Sequence, residues 1–584
     1  MQYYRRDKNM IKLSRFLKPY TFMIILVLGS IFLQTLGDLY LPTLMGDIIN
    51  KGVMQGDTGE ILRIGALMLL VTAGGVICAV ISSYLSARIS TGFGASLRSS
   101  IFRKVSGFSL NEFDRFGTAT LITRTTNDVF QIQMVTIMIM RMMISAPMMA
   151  VGGIILALRR DRQLTLVLAF VLPILAGLVV FIASKMIPLF RSVQKKIDRM
   201  NLVLREKLTG VRVIRAFDAA EREEKRFNQA NDDLTDTYIK VNRIMAFMVP
   251  TIMTIMSLTQ LAIIWFGGQR ISRGSMDLGS LSSFTQYAMQ IMMSMLMMAF
   301  MFIMVPRAQA AASRINEVLD TSPEIVDPEE VKEAVAGRGH IEFRDVTFRY
   351  QGAEMPVLKD ISFSAGPGEV TAIIGSTGSG KSTLINLIPR FYDIESGSIL
   401  INGVDVREFS QEDLRSRIGF VPQKAVLFSG TIADNIRIGR EDATDDEIRY
   451  AAEIAQASEF IEQMDGGYEY EIAQGGTNVS GGQKQRLYIA RALVRKPEIY
   501  IFDDSFSALD FKTDASLRAA LKKEIADSTV FIVTQRVSTV MDADRIIVLD
   551  EGRVAGIGTH RELLENCRVY REIVESQLSE EEIA

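Results

Sequence analysis

Six apolar stretches fill the first half of the chain, and each is about as long as a bilayer crossing requires. A hydrocarbon core about 30 Å thick is spanned by about 20 residues of helix. In lipid only a helix or a closed barrel satisfies its own backbone. The stretches run near Tyr20–Met45, Ile64–Ala87, Met134–Leu158, Leu164–Ala183, Ile244–Phe266 and Leu281–Val305. Unbroken apolar runs of this length predict helices rather than alternating strands. Arg5, Arg6, Lys8, Lys12, Arg15 and Lys18 precede the first run. That run is too long for a signal sequence and lacks a small-residue cleavage site, so it reads as a retained first span.

Orientation follows from the basic residues of the connecting segments. Arg98, Arg103, Lys104, Arg115 and Arg124 lie between spans two and three. A denser set, including Lys195, Lys196, Arg199, Arg205 and Lys207, lies between spans four and five. With the leader, these place both termini on the cytoplasmic side of a cell membrane. The Arg159-Arg160-Asp161-Arg162 turn falls outside and breaks the rule. The two inner segments are about 45 and 60 residues long with few helix breakers. Structureless loops of that length are uncommon, so the spanning helices are expected to continue past the membrane and turn back at Ser109–Phe113 and around Ala216-Phe217-Asp218.

Ionisable groups inside spans are costly and usually face a cavity or a partner helix. Asp38 in the first span is the foremost candidate for a polar transmembrane site, although nearby Pro42 and Asp47 also allow a merely interfacial position. Of 31 methionines, eight lie between Met289 and Met304. Such side chains repack readily and suit broad hydrophobic binding surfaces; most can equally serve as packing filler.

The overall charge of −2 conceals two different halves. Residues 1–320 carry 36 basic and 21 acidic residues, a balance of +15, while the remainder carries 29 and 46, a balance of −17. The basic excess borders the membrane, where anionic lipid is the simpler partner; nothing supports nucleic-acid binding. The division expected is a helical membrane domain over 1–319, a linker over 320–337 rich in breakers, and an α/β domain over 338–584. Two distant cysteines form no metal or redox pattern.

The α/β half carries the chain's most specific motif. Gly375-Ser376-Thr377-Gly378-Ser379-Gly380-Lys381-Ser382-Thr383 follows the apolar run Val370–Ile374 and opens a helical one, which is the context of a P-loop. Glycines let backbone amides converge on phosphate oxygens, Lys381 pairs with the β- and γ-phosphates, and Ser382 ligates Mg²⁺. ATP binding follows. A second strand, Ile499–Phe502, ends in Asp503-Asp504, and the first carboxylate suits Mg²⁺. Val479-Ser480-Gly481-Gly482-Gln483 opens a further helix and forms another anion site. One nucleotide needs only one P-loop, so the second cradle implies a nucleotide shared between two chains, hence a dimer.

The order of P-loop, Val421-Pro422-Gln423, Val479–Gln483, Asp503 and Ser507-Ala508-Leu509-Asp510 resembles the ATP-binding-cassette (ABC) transporters. Six spans ahead of the cassette resemble a half-transporter of the exporter type. The resemblance implies that Tyr350 stacks on adenine, that Gln423 contacts Mg²⁺, and that Val479–Gln483 and Asp510 reach the partner's ATP. It also makes the two inner connectors coupling helices.

Departures from the family pattern matter as much. Asp504 stands where the family has the glutamate that polarises the attacking water. Gln535 stands where it has a switch histidine, and Gln474 replaces an acidic residue before the family's signature, here Val479–Gln483. The first two fall at one catalytic site beside otherwise intact motifs. This resembles the degenerate-site subunit of bacterial heterodimeric multidrug exporters, which implies a heterodimer rather than a homodimer and hydrophobic or amphipathic cargo. A lipid or peptide exporter is the alternative within the class; an ATP-gated channel or regulatory membrane ATPase is the alternative outside it.

Overall fold

The computed structural model describes residues 8–332 and 339–578. Arg5 and Arg6 of the leader, residues 333–337 of the expected linker, and the expected cassette's residue 338 and residues 579–584 lie outside the described residues. The chain forms two compact units, Met1–Ser106 with Ala119–Thr321, and Gly107–Thr118 with Ser322–Ala584. The sequence division leaves Gly107–Thr118 with the membrane part, whereas it packs with the cassette.

Six helices of the first unit are long and apolar enough to cross a membrane. Their principal segments are α1 (Thr21–Asp47), α2 (Thr58–Ser106), α4 (Val129–Arg160), α5 (Thr165–Thr209), α7 (Ala220–Ser272) and α8 (Leu278–Asp320), with the short connector helices α3 (Leu110–Phe116) and α6 (Val211–Ala216) between them. The 49 residues of α2 extend about 74 Å, far beyond a core of about 30 Å. Phe22, Leu70, Phe170 and Trp265 stay exposed on the helix surfaces, as solvation by hydrocarbon requires and water would penalise. Inside, Phe284, Tyr287 and Ile291 of α8 pack with Ala157, Leu168 and Ile263. Of the methionines in α8, Met292 is buried while Met289, Met293 and Met297 are exposed.

Two polar details follow from the membrane environment. Pro42 has no N–H, so the Asp38 carbonyl one turn earlier loses its helical donor; Gln290 Nε2 of α8 replaces it at 2.9 Å. The arginine turn that breaks the charge rule is locally compensated. Arg160 lies 3.8 Å from Asp47, and Arg270 Nε donates to Asp161 at 2.7 Å. Asp161 also accepts from the Leu164 N–H at 2.8 Å, just before α5 begins. Near the far end of α8, Arg314 Nε donates to the buried Asp128 at 2.7 Å.

The cassette unit contains a four-stranded antiparallel sheet, β1 (Ile341–Phe348), β2 (Leu358–Ala365), β4 (Ser396–Ile401) and β5 (Val404–Asp405), in the order β2-β1-β4-β5. A six-stranded sheet combines β3 (Val370–Gly375), β6 (Ile418–Val421), β7 (Ile499–Asp503), β8 (Thr529–Val533), β9 (Arg545–Asp550) and β10 (Arg553–Gly558) in the order β10-β9-β3-β8-β7-β6. Strands β9, β3, β8, β7 and β6 are parallel. Continuous apolar runs such as Ile499–Phe502 suit this, since both faces are buried. The helices α9 (Lys381–Leu387), α10 (Gly481–Val494) and α11 (Phe511–Glu524) follow the sequence motifs.

Within this unit the connector helix α3 is anchored by one carboxylate. Glu112 Oε2 accepts from the Ser109 N–H at 2.6 Å and Oε1 from the Glu324 N–H at 3.1 Å. Asp114 lies against Tyr392, whose hydroxyl pKa is pushed up to about 12 by burial and by that neighbouring carboxylate. Glu112→Ala removes both acceptors and is expected to lower stability by about 1–2 kcal/mol, read as a lower Tm; Glu112→Gln keeps an acceptor and should lose less.

Candidate functional site

Parallel pairing brings the site together. Ile373 of β3 faces Val533 of β8, and Val533 faces Asp503 of β7. Three strands therefore end level, and the loops after them converge on one cavity of about 280 Å³. Lys381, Ser382, Gln423, Asp503, Asp504 and Gln535 line it, with Thr377, Gly378, Gly380 and Thr383 of the P-loop. Val357 and Thr534 also line it; neither belongs to a motif with a spacing signal.

The P-loop takes its shape from glycine at two positions. Gly380 has φ +101°, in the left-handed region, and a Cβ there would lie 2.7 Å from Leu358 Cδ2. A Cβ on Gly375 would collide with the Leu549 carbonyl oxygen. The loop wraps the Lys381 ammonium, which donates to the Gly375 and Ser376 carbonyls at 2.9 and 2.8 Å. Burial lowers the Lys381 pKa, while Asp503 and Asp504 oppose that shift. Ser379 Oγ is buried and has no hydrogen-bond partner among the described residues.

Opposite the loop, Ser382 Oγ donates to Asp503 Oδ1 at 3.2 Å. Asp503 is buried, and burial, with the Asp504 charge beside it, raises its pKa despite the Ser382 bond and Lys381. A desolvated ammonium, an orphaned hydroxyl and a hydroxyl–carboxylate pair fit a triphosphate with a divalent cation. Asp504 has φ +46°, a conformation that aspartate tolerates better than most residues. Its N–H donates to the Val533 carbonyl at 2.8 Å, and its carboxylate accepts from Gln423 Nε2 at 3.4 Å. The strained backbone at Asp504 has no sequence signal.

Tyr350 stands beside this loop rather than in the cavity lining. Its hydroxyl lies 3.0 Å from Thr383 Oγ1, and its ring meets Tyr392 edge-on with centroids 5.3 Å apart. The signature lies elsewhere on the unit. Val479 is buried, and Ser480 caps α10: its Oγ accepts from the Gln483 N–H at 3.2 Å, while Gln483 Oε1 accepts from the Ser480 N–H at 2.9 Å. Gly481 has open space where a side chain would stand, so its backbone is approachable; Gly482 lies against the Ala508 carbonyl. Asp510 caps α11 by accepting from the Thr513 N–H at 3.0 Å. Neither Val479–Gln483 nor Asp510 lines the P-loop cavity of their own chain.

Comparison with known proteins agrees with this geometry. Residues 24–295 match the ABC transporter transmembrane region, and residues 358–507 match the ABC transporter domain. An ABC transporter ATP-binding protein of Mycobacterium tuberculosis is 45% identical over 97% of both chains. An ATP-dependent lipid A-core flippase of Syntrophus aciditrophicus is 30% identical over 99% of this chain and 95% of its own. The solved structure of a bacterial Atm1-family ABC exporter with ATP bound superposes with a TM-score of 0.78 at 25% identity, covering 97% of this chain and 99% of that one. The chain belongs to the ABC transporter family, as an exporter-type half-transporter that joins a membrane domain to an ATP-binding cassette.

Proposed function

We propose that this half-transporter pairs with a different half-transporter to drive hydrophobic or amphipathic compounds out of the cell, and that its own P-loop and Asp503-Asp504 form the ATP site of low turnover. The observation that carries the reading is the presence of Asp504 and Gln535 together on the P-loop cavity. General-base assistance is worth about 10²–10⁴ in rate and requires hydrogen-bond reach. Asp504 is one methylene shorter than glutamate, and its carboxylate already accepts from Gln423. Gln535 can donate a hydrogen bond to a phosphate oxygen but cannot become cationic.

The remaining parts suit ATP retention. Lys381 meets the β- and γ-phosphates from the loop that wraps it, and Tyr350 stands by to stack on adenine. Ser382, Gln423 and Asp503 would hold Mg²⁺, which when bound would neutralise phosphate charge as a Lewis acid. Val479–Gln483 and Asp510 serve the partner's nucleotide, consistent with their position away from the chain's own cavity. Closure of two cassettes on ATP would move the membrane helices through connectors such as α3. Both termini and the cassette are assigned to the cytoplasmic side. Lipid cargo is the second reading, favoured by the similarity to a lipid A-core flippase.

Three outcomes test this. The purified chain alone should hydrolyse ATP slowly, and co-expression with its partner should restore cargo-stimulated turnover; brisk hydrolysis by the pure homodimer would sink the proposal. Asp504→Glu with Gln535→His should raise homodimer turnover by about 10²-fold or more without changing ATP affinity. For Asp503, the raised pKa means its stabilising contribution is complete below the ordinary value of 3.8 and lost as pH rises through the shifted value. Asp503→Asn should therefore raise the Tm of the nucleotide-free chain at pH 7 while abolishing the Mg²⁺ dependence of nucleotide binding.

A further inference from the structure

A second cavity, of about 360 Å³, opens on the membrane unit between Gln34 and the half-buried Asp38 of α1, Ser82 and Ser83 of α2, and Ser145 and the exposed Arg141 of α4. Ile31, Met149 and Met297 supply part of its apolar wall. The Asp38 carboxylate has no hydrogen bond or ion pair among the described residues, and no ion pair within 4.0 Å joins it to Arg141. Arg141 Nη2 donates to Ser83 Oγ, which leaves further guanidinium donors for another acceptor. Asp38 sits on a fixed stretch of helix, because Pro42 orphans its carbonyl and Gln290 of α8 holds it at 2.9 Å.

A carboxylate and a guanidinium without an ion-pair partner among the described residues are each costly within a bilayer. Here both border one cavity without neutralising each other. A cationic amphipath would satisfy Asp38 and repel Arg141; an anionic one would do the reverse. We propose that this cavity binds the head of a zwitterionic amphipath, with an amine against Asp38, a phosphate or carboxylate against Arg141, and the hydrocarbon tail along Ile31, Met149 and Met297. The serine hydroxyls and Gln34 serve the remaining polar atoms of the head. This names a cargo class for the export reading above and rests on it.

The test measures equilibrium binding to the full chain in uncharged dodecyl maltoside micelles, without nucleotide. The probes share one tail: dodecyl phosphoethanolamine, O-dodecylserine, dodecylammonium and dodecyl phosphate. The first two distinguish a phosphate from a carboxylate as the anionic group. At least one zwitterion should bind about tenfold more tightly than either dodecylammonium or dodecyl phosphate, which carry charge of one sign only. Asp38→Asn should erase the preference over dodecyl phosphate, Arg141→Gln should erase the preference over dodecylammonium, and Asp38→Glu should retain both. Absence of a zwitterion preference in the unaltered chain would overturn the proposal, as would equal weakening of all four probes by both substitutions. If Asp38→Asn does not fold, the ranking in the unaltered chain and in Arg141→Gln decides. Zwitterion binding with this ranking but no ATP-dependent accumulation of the bound probe in inverted vesicles from co-expressing cells would overturn the export reading while leaving this proposal standing.

Discussion

Hydrocarbon offers the backbone no hydrogen-bond partner, and the membrane half of this protein is organised around that fact. Every crossing is helical, and at Pro42 the gap is filled from a neighbouring helix: the carbonyl it orphans at Asp38 is taken by Gln290 of α8 at 2.9 Å. Charges follow the same logic at the helix ends, where Arg160 lies near Asp47 and Arg270 meets Asp161. Asp38 and Arg141 border one cavity without pairing, and so call for an outside partner.

The cassette depends on register instead. Parallel pairing of β3, β8 and β7 brings three loops level, so residues separated by more than a hundred positions meet at one cavity. The Ser382–Asp503 pair and the buried Lys381 ammonium are poorly compensated without a ligand, which is the condition expected of a site built for a polyanion and its metal. At the same strand end Asp504 adopts a left-handed backbone and engages Gln423. Its carboxylate is thus tethered near the site but short of a glutamate's reach.

Much of the architecture was legible because length and spacing are one-dimensional properties. Twenty-residue apolar runs announce crossings, and Gly375–Thr383 announces its loop without knowledge of the fold. What the sequence could not supply depends on contacts distant along the chain. Gly107–Thr118 reads as part of the membrane half, yet Glu112 and Asp114 pack it with the cassette through Glu324 and Tyr392. The Arg159–Arg162 turn looks anomalous until Asp47 is placed 3.8 Å from Arg160. Asp38 was a candidate on cost alone; that it shares a cavity with Arg141 is a fact of helix packing. Val357 and Thr534 carry no signal because they line the nucleotide cavity only through strand order.

The central claim is that this chain holds ATP in its own site without readily cleaving it. Photo-crosslinking to a reactive ATP labelled at either the α- or the γ-phosphate, after incubation with Mg²⁺ at working temperature, reads this directly. The account predicts equal α- and γ-label on this chain in the assembled transporter. Retention of the α-label with loss of the γ-label from this chain would contradict it.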